Sequence, residues 1–328
     1  MPGKMDSFKA LSAHDKRHAV VNWLLDHAMI IIILLLAVYV QIQRPQFFGV
    51  PSLVNIVSLT AARLPMALGV AGCIVLAGTD LTGGRVAGLT AFVAAILLQK
   101  AGANGRFIAD GVPQNLLLVV LLVMVIGACI GFVNGFVMAK WKLHPYIITL
   151  AMQMITYGIY LTVSNSKQVS SLDPSYTTSF VTKSFVKFGT TSVPMYVVLA
   201  IFVTAIMWVV WNKTTFGKNM FAVGSNEEAA RVSGVNVMAT IIGVFMLAGA
   251  LYGYTGFVEA ARLGSSTATL GLNYEADAIS AAVIGGVSFV GGTGKISGIV
   301  DARTATKEDV GLLMTNHGYR EADKEAEA

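Results

Sequence analysis

The feature that most restricts this chain is a recurrence of apolar windows of about twenty residues, running from Trp23 to Val300. Each window is long enough to cross about 30 Å of hydrocarbon as a helix. Inside a bilayer the backbone must satisfy its own hydrogen bonds, so helices are the economical solution. Eight segments can be drawn, at 23–42, 57–78, 83–100, 115–139, 145–163, 193–211, 238–260 and 276–300. The expected fold is all-α, a polytopic transmembrane helical bundle of about eight spans embedded in a lipid bilayer. Composition agrees, with 12% of the 328 residues charged against about 25% in soluble domains.

The 23 basic residues exceed the 18 acidic ones, and the positive-inside rule accounts for the excess without a nucleic-acid partner. Residues 1–22 carry Lys4, Lys9, Lys16 and Arg17 and read as a cytoplasmic N-terminus before an uncleaved first span. With that end inside, the cytoplasmic links hold Arg85, then Lys140 and Lys142, then Lys213, Lys218 and Arg231. The link from Ser164 to Ser192 falls outside despite Lys167, Lys183 and Lys187. Cys73 and Cys129 both lie in apolar runs and read as small buried hydrophobes. Trp208 and Trp211 stand where an interfacial anchor belongs. Gly127, Gly131 and Gly135, and again Gly249, Gly253 and Gly256, suggest close helix packing.

No pattern for chemistry survives inspection. GGTGK at 291–295 lacks the Walker A spacing, with Phe289 and Ile296 at two required positions. The five histidines have no metal-ligand spacing. No cofactor or metal is expected on this chain, and no catalytic residue. Six charges near segment ends are candidates for pathway or interface roles: Asp80, Arg85, Glu259, Arg262, Glu275 and Asp277. Their placement favours interfacial caps and salt bridges over a substrate role. Tyr157, Tyr160, Tyr252 and Tyr254 could line a path, pack or anchor.

The longest polar interruption in the second half is the loop 212–237, within WNKTTFGKNMFAVGSNEEAARVSGVNV. Ser225 and Glu228 have capping-box spacing, Glu227 and Glu228 suit a first turn, and Arg231 suits a last one. Gly234 supplies a left-handed stop. One short capped helix outside the bilayer is expected, as a place for another protein to dock or as a plain surface helix.

After Val300 the composition changes abruptly, and residues 301–328 hold four basic and seven acidic residues. The chain thus divides into 1–22, a transmembrane domain at 23–300, and a charged cytoplasmic tail at 301–328.

Three long stretches carry a resemblance: LPMALGVAGCIVLAGTDLTGGRVAGLTAFVAAILLQ (64–99), residues 211–237, and EAARLGSSTATLGLNYEADAISAAVIGGVSFVGGTG (259–294). They resemble the inner-membrane permease of bacterial ATP-driven sugar importers in the ribose and galactose group, nearest its galactose/methylgalactoside branch. The resemblance implies two permease copies, two cytoplasmic ATPase subunits that hold ATP and magnesium, and a periplasmic sugar-binding protein. It implies that the cytoplasmic loop carries a coupling helix, on the matching positions Gly217, Gly224, Asn226, Glu228, Ala229, Ala230, Arg231, Ser233 and Gly234. The family pattern continues through further spans, whereas ATKEDVGLLMTN at 305–316 looks similar to the C-terminal end of the partner ATPases. A junction at about Val300–Asp301 is the expectation. On the residues alone, a carrier or channel without an ATPase, a non-transporting scaffold and a truncated or chimeric permease stay open.

Overall fold

The computed structural model describes residues 28–103, 105–108, 115–188, 191–289 and 291–294. The expectations for 1–22 and 301–328 lie outside the described residues. Residues 28–53 belong to a unit separate from the one that begins at Val54. The first holds α1 (Ala28–Gln43), whose Gln41 accepts from the Phe48 N–H at 2.9 Å and donates to the Pro45 carbonyl at 2.8 Å.

Helices α2 (Val50–Val75), α3 (Gly83–Leu97), α4 (Leu116–Trp141), α5 (Pro145–Ser164) and α6 (Met195–Lys213) follow. Two short helices, α7 (Thr215–Ser225) and α8 (Glu227–Val232), precede α9 (Val237–Leu263) and α10 (Tyr274–Ile284). A small antiparallel hairpin, β1 (Ser184–Phe188) with β2 (Thr191–Pro194), pairs Val186 with Val193 before α6. Among the described residues five helices, α2, α4, α5, α6 and α9, are long and apolar enough to cross a membrane.

The eight expected spans are therefore corrected in two places among the described residues. At about 1.5 Å per residue, the 15 residues of α3 fall short of about 30 Å of hydrocarbon. Among the described residues of 276–300 the helix is the 11-residue α10. Chain with left-handed turns at Gly286, Gly291 and Gly292 follows it. The expected segment at 83–100 starts where α3 starts and outruns it by three residues, whereas α10 is closed by Gly285 and Gly286.

The bundle centre is the α4–α9 pair. A methyl added to Gly127 would sit 2.0 Å from the Gly249 carbonyl oxygen, and one on Gly249 would sit 2.1 Å from that of Gly127. Gly131 meets Phe245 and Gly253 meets Val123 in the same way, so the expected glycine packing is what brings these backbones together. Outward, Leu117, Leu118 and Leu121 of α4 and Ile201, Phe202 and Ile206 of α6 stay exposed, a surface suited to lipid rather than water.

At one end of the bundle the 165–183 segment folds over α3 and α9. Val169 bridges Ser266, Gln99 bridges Leu172, and the buried Tyr176 hydroxyl donates to the Phe257 carbonyl. Two expectations change here. Trp211 is buried at 2% exposure with its ring edge-on to Phe221, while Trp208 stays exposed with Lys213 Nζ 5.4 Å from its ring. Cys73 is buried but Cys129 is exposed.

Candidate functional site

Residues 214–236 form two helices rather than one. Thr214 caps α7, its hydroxyl accepting from the Gly217 N–H at 3.2 Å. Gly217 lets α7 turn back tightly against α6, since a methyl there would lie 2.1 Å from the Trp211 carbonyl oxygen. Gly224 seats the other end of α7 against α2, 1.9 Å from the Val75 carbonyl oxygen by the same measure. That oxygen also accepts from the Gly292 N–H at 2.8 Å. The end of α2, the end of α7 and the turn after α10 thus meet at one carbonyl.

The capping box from Ser225 to Glu228 does not form. Ser225 is the last residue of α7, and its hydroxyl faces the Gly292 carbonyl at 3.5 Å. Asn226 caps α8 instead, accepting from the Ala229 N–H at 2.9 Å. Its extended backbone (φ −162°, ψ 108°) breaks the two helices apart, and the cap falls on Asn226, one residue after the serine expected to supply it. Gly234 ends α8 as expected at φ +84°, with Gly234 N–H on Arg231 and Val235 N–H on Ala230. Arg231 pairs with Glu227 at 2.6 Å and approaches Glu228 at 3.8 Å. Ala230 is buried against the bundle, whereas Glu228, Ala229, Ser233 and Val232 are exposed, Val232 at 89%. An apolar side chain held clear of the bundle on a capped helix is a surface that a partner can cover.

The charges expected at segment ends stand at helix ends and links, and three of them, Asp80, Glu259 and Glu275, are buried. Asp80 is fully buried in the break between α2 and α3. One of its oxygens accepts from the N–H of Thr82 at 2.9 Å and from its hydroxyl at 2.5 Å. The other accepts from the Tyr252 hydroxyl at 3.2 Å, near the middle of α9. Asn134 of α4 reaches the Thr82 hydroxyl. The break itself is a helix-ending turn with Ala77 left-handed at φ +56°; Gly78 N–H returns to the Cys73 carbonyl and Ala77 N–H to that of Ile74. Non-helical backbone at membrane depth is tolerated where protein buries it or a cavity meets it. An acid before the first turn of α3 also suits that helix's dipole.

Arg85 lies with its guanidinium 4.0 Å above the Tyr157 ring and donates to the Ala268 carbonyl. Glu275 is buried; Gln153 donates to one of its oxygens at 3.1 Å, and the other presses on Gly84. Glu259 is fully buried, four residues before the end of α9. It pairs with Arg262 at 2.7 Å and with Arg63 at 3.4 Å. Arg63 also pairs with Asp277 at 2.7 Å and covers the Tyr274 ring at 3.9 Å.

The six charges therefore fall into three groups: Asp80 alone at the break, Arg85 near Glu275, and Glu259, Arg262 and Asp277 gathered by Arg63. Arg63 went unnoticed in the sequence, although a lone cation halfway along an apolar 26-residue helix was the signal. Tyr252 and Tyr157 partner Asp80 and Arg85. No group of three or more potential metal ligands occurs among the described residues.

A buried acid and broken helices would also suit a carrier that works alone, so this geometry by itself separates neither class. Residues 52–302 match the family described as the permease component of the branched-chain amino acid transport system. The chain belongs to this permease family. It is 41% identical over 293 residues to the galactose/methyl galactoside import permease protein MglC of Salmonella typhimurium, covering 88% of this chain and 86% of that one. The Escherichia coli protein of the same name is 40% identical over the same shares. The ribose import permease protein RbsC of Escherichia coli is 33% identical over 290 residues, 86% of this chain and 84% of its own length. No solved structure matches. As a permease component, the chain is a multi-pass membrane transport subunit and not an enzyme.

Proposed function

We propose that this permease passes a galactose-type monosaccharide inward through the bilayer, driven by ATP hydrolysis in separate subunits that dock on α7 and α8. Support for the substrate comes from relatives named for galactose, methyl galactoside and ribose import. Support for the docking comes from the loop geometry, and one observation carries it. Gly224 seats α7 on the Val75 carbonyl at the foot of the α2–α3 break, while α8 holds Glu228 and Val232 outward. A push on α8 passes through Asn226 to α7, and α7 is seated beside the break that holds Asp80. Rigid-body displacement there is the kind of motion that switches a packed bundle between two arrangements. Two permease copies, a periplasmic sugar-binding protein, and ATP with magnesium on the ATPase complete the assembly in this reading.

The test is co-purification of the membrane-expressed chain with its candidate ATPase, comparing the native loop with Glu228→Lys. Native-loop capture that drops at least tenfold in the variant supports the reading. Equal capture of both, with sugar-stimulated ATP hydrolysis unchanged, sinks it.

A further inference from the structure

The charged face between α2 and α10 has no place against lipid. Arg63 stands midway along a helix that is otherwise apolar around it, and Asp277 is 62% exposed beside it. A charge on a membrane-spanning helix is expensive against hydrocarbon, so such groups face protein or a water-filled cavity. The structure has a cavity of about 240 Å³ at this place, lined by Thr60, Arg63, Leu64, Ala67, Asp277 and Ala281 among others. Its size is below that of drug-sized pockets, which run to roughly 300–1,000 Å³, and its lining is mixed. Apolar Leu64, Ala67 and Ala281 form the walls. The Arg63 guanidinium and the Asp277 carboxylate, 2.7 Å apart, and Thr60, whose hydroxyl donates to the Ile56 carbonyl at 2.9 Å and keeps acceptor capacity, are its polar lining.

That mixture matches a small polyol with a hydroxyl-bearing edge and a C–H face. The carboxylate accepts from hydroxyls and the guanidinium donates to ring or hydroxyl oxygens, both charge-assisted and stronger than neutral hydrogen bonds. The Arg63 head is already fixed by Asp277 at 2.7 Å, Glu259 at 3.4 Å and the Tyr274 ring at 3.9 Å. Its donors therefore lose little freedom when a ligand arrives. Glu259 in turn is shared with Arg262, so a hydroxyl competing for Asp277 need not strand a buried charge.

We infer that this cavity is a monosaccharide subsite on the transport path, with Asp277, Arg63 and Thr60 as its polar contacts. The inference rests on the proposed function and adds the place where the sugar touches the permease.

The experiment uses the complete complex of permease, ATPase and sugar-binding protein in vesicles, with galactose and ribose as probes. In a Cys129→Ser background, which leaves only the buried Cys73, Ala281→Cys is treated with a charged thiol reagent and with a lipid-soluble one. Reaction with the charged reagent, slowed at least threefold by either sugar with its loaded binding protein, is the expected result. Asp277→Asn should raise the apparent KM for uptake at least tenfold. Reaction with the lipid-soluble reagent alone, or with neither, would show lipid or a packed helix on this face and overturn the subsite. Unchanged KM and no protection overturn it too. A parent complex that moves neither sugar and captures no ATPase defeats the proposed function instead. If Asp277→Asn fails to insert, the labelling result alone decides.

Discussion

Replacing Gly224 by alanine tests whether α7 and the end of α2 move as one piece. The added methyl would lie 1.9 Å from the Val75 carbonyl oxygen and 3.0 Å from the Gly292 nitrogen, all backbone atoms that cannot rotate away. Bringing the shorter distance to 3.0 Å requires α7 to withdraw by about 1 Å. Overfilling of this kind costs about 1–3 kcal/mol. Straining the 2.8 Å bond from Gly292 N–H to the same oxygen adds about 1 kcal/mol. Alanine's better fit in a helix returns about 1 kcal/mol. The balance is about 1–3 kcal/mol against the seated arrangement, or roughly a 5- to 150-fold shift in its population. Docking of the ATPase should survive, because α8 keeps its exposed face. Transport per ATP should fall at least fivefold. The assay is sugar uptake and ATP hydrolysis measured together in vesicles of the reconstituted complex. Gly158→Ala serves as the control, since nothing lies within 4 Å of that added methyl. A Gly224→Ala complex with the parental ratio of uptake to hydrolysis and no loss of thermal stability would refute the reasoning.

Two further outcomes concern local structure. Asn226→Ala should cost about 1 kcal/mol through the lost α8 cap, read as a lower Tm and weaker ATPase capture, whereas Ser225→Ala should change either by much less. The reverse order would restore the capping box. Gly127→Ala and Gly249→Ala should each destabilise the detergent-solubilised protein by about 1–3 kcal/mol. One separation of the helices relieves both clashes, so the double variant should fall short of the sum by at least about 0.5 kcal/mol; strict additivity would count against the reciprocal contact.

The sequence alone determined that the chain crosses a membrane as helices, because apolar runs of about twenty residues fit a spanning helix and are about twice the length of the strands of a closed barrel, the other structure that satisfies backbone in lipid. It also determined the glycine faces of α4 and α9 and the stop at Gly234, since small residues at fixed spacing and a left-handed turn are local matters. The resemblance of three stretches led to the right family before any contact was known.

Only the tertiary structure decided where the broken segments run. Hydropathy averages over Gly285 and Gly286, so the segment from 276 read as a longer helix than the described α10, and α3 read as a span although it stops at Leu97. Burial was hidden as well. Asp80 stands near an apparent segment end, and only the α9 packing places it against Tyr252. The α8 cap turned on one backbone conformation at Asn226, which a choice between Ser225 and Asn226 by residue type could not resolve. Arg63 joins Glu259 and Asp277 across 196 and 214 positions of chain. Spacing rules reach a few residues along a helix, and partners brought together by packing lie outside them.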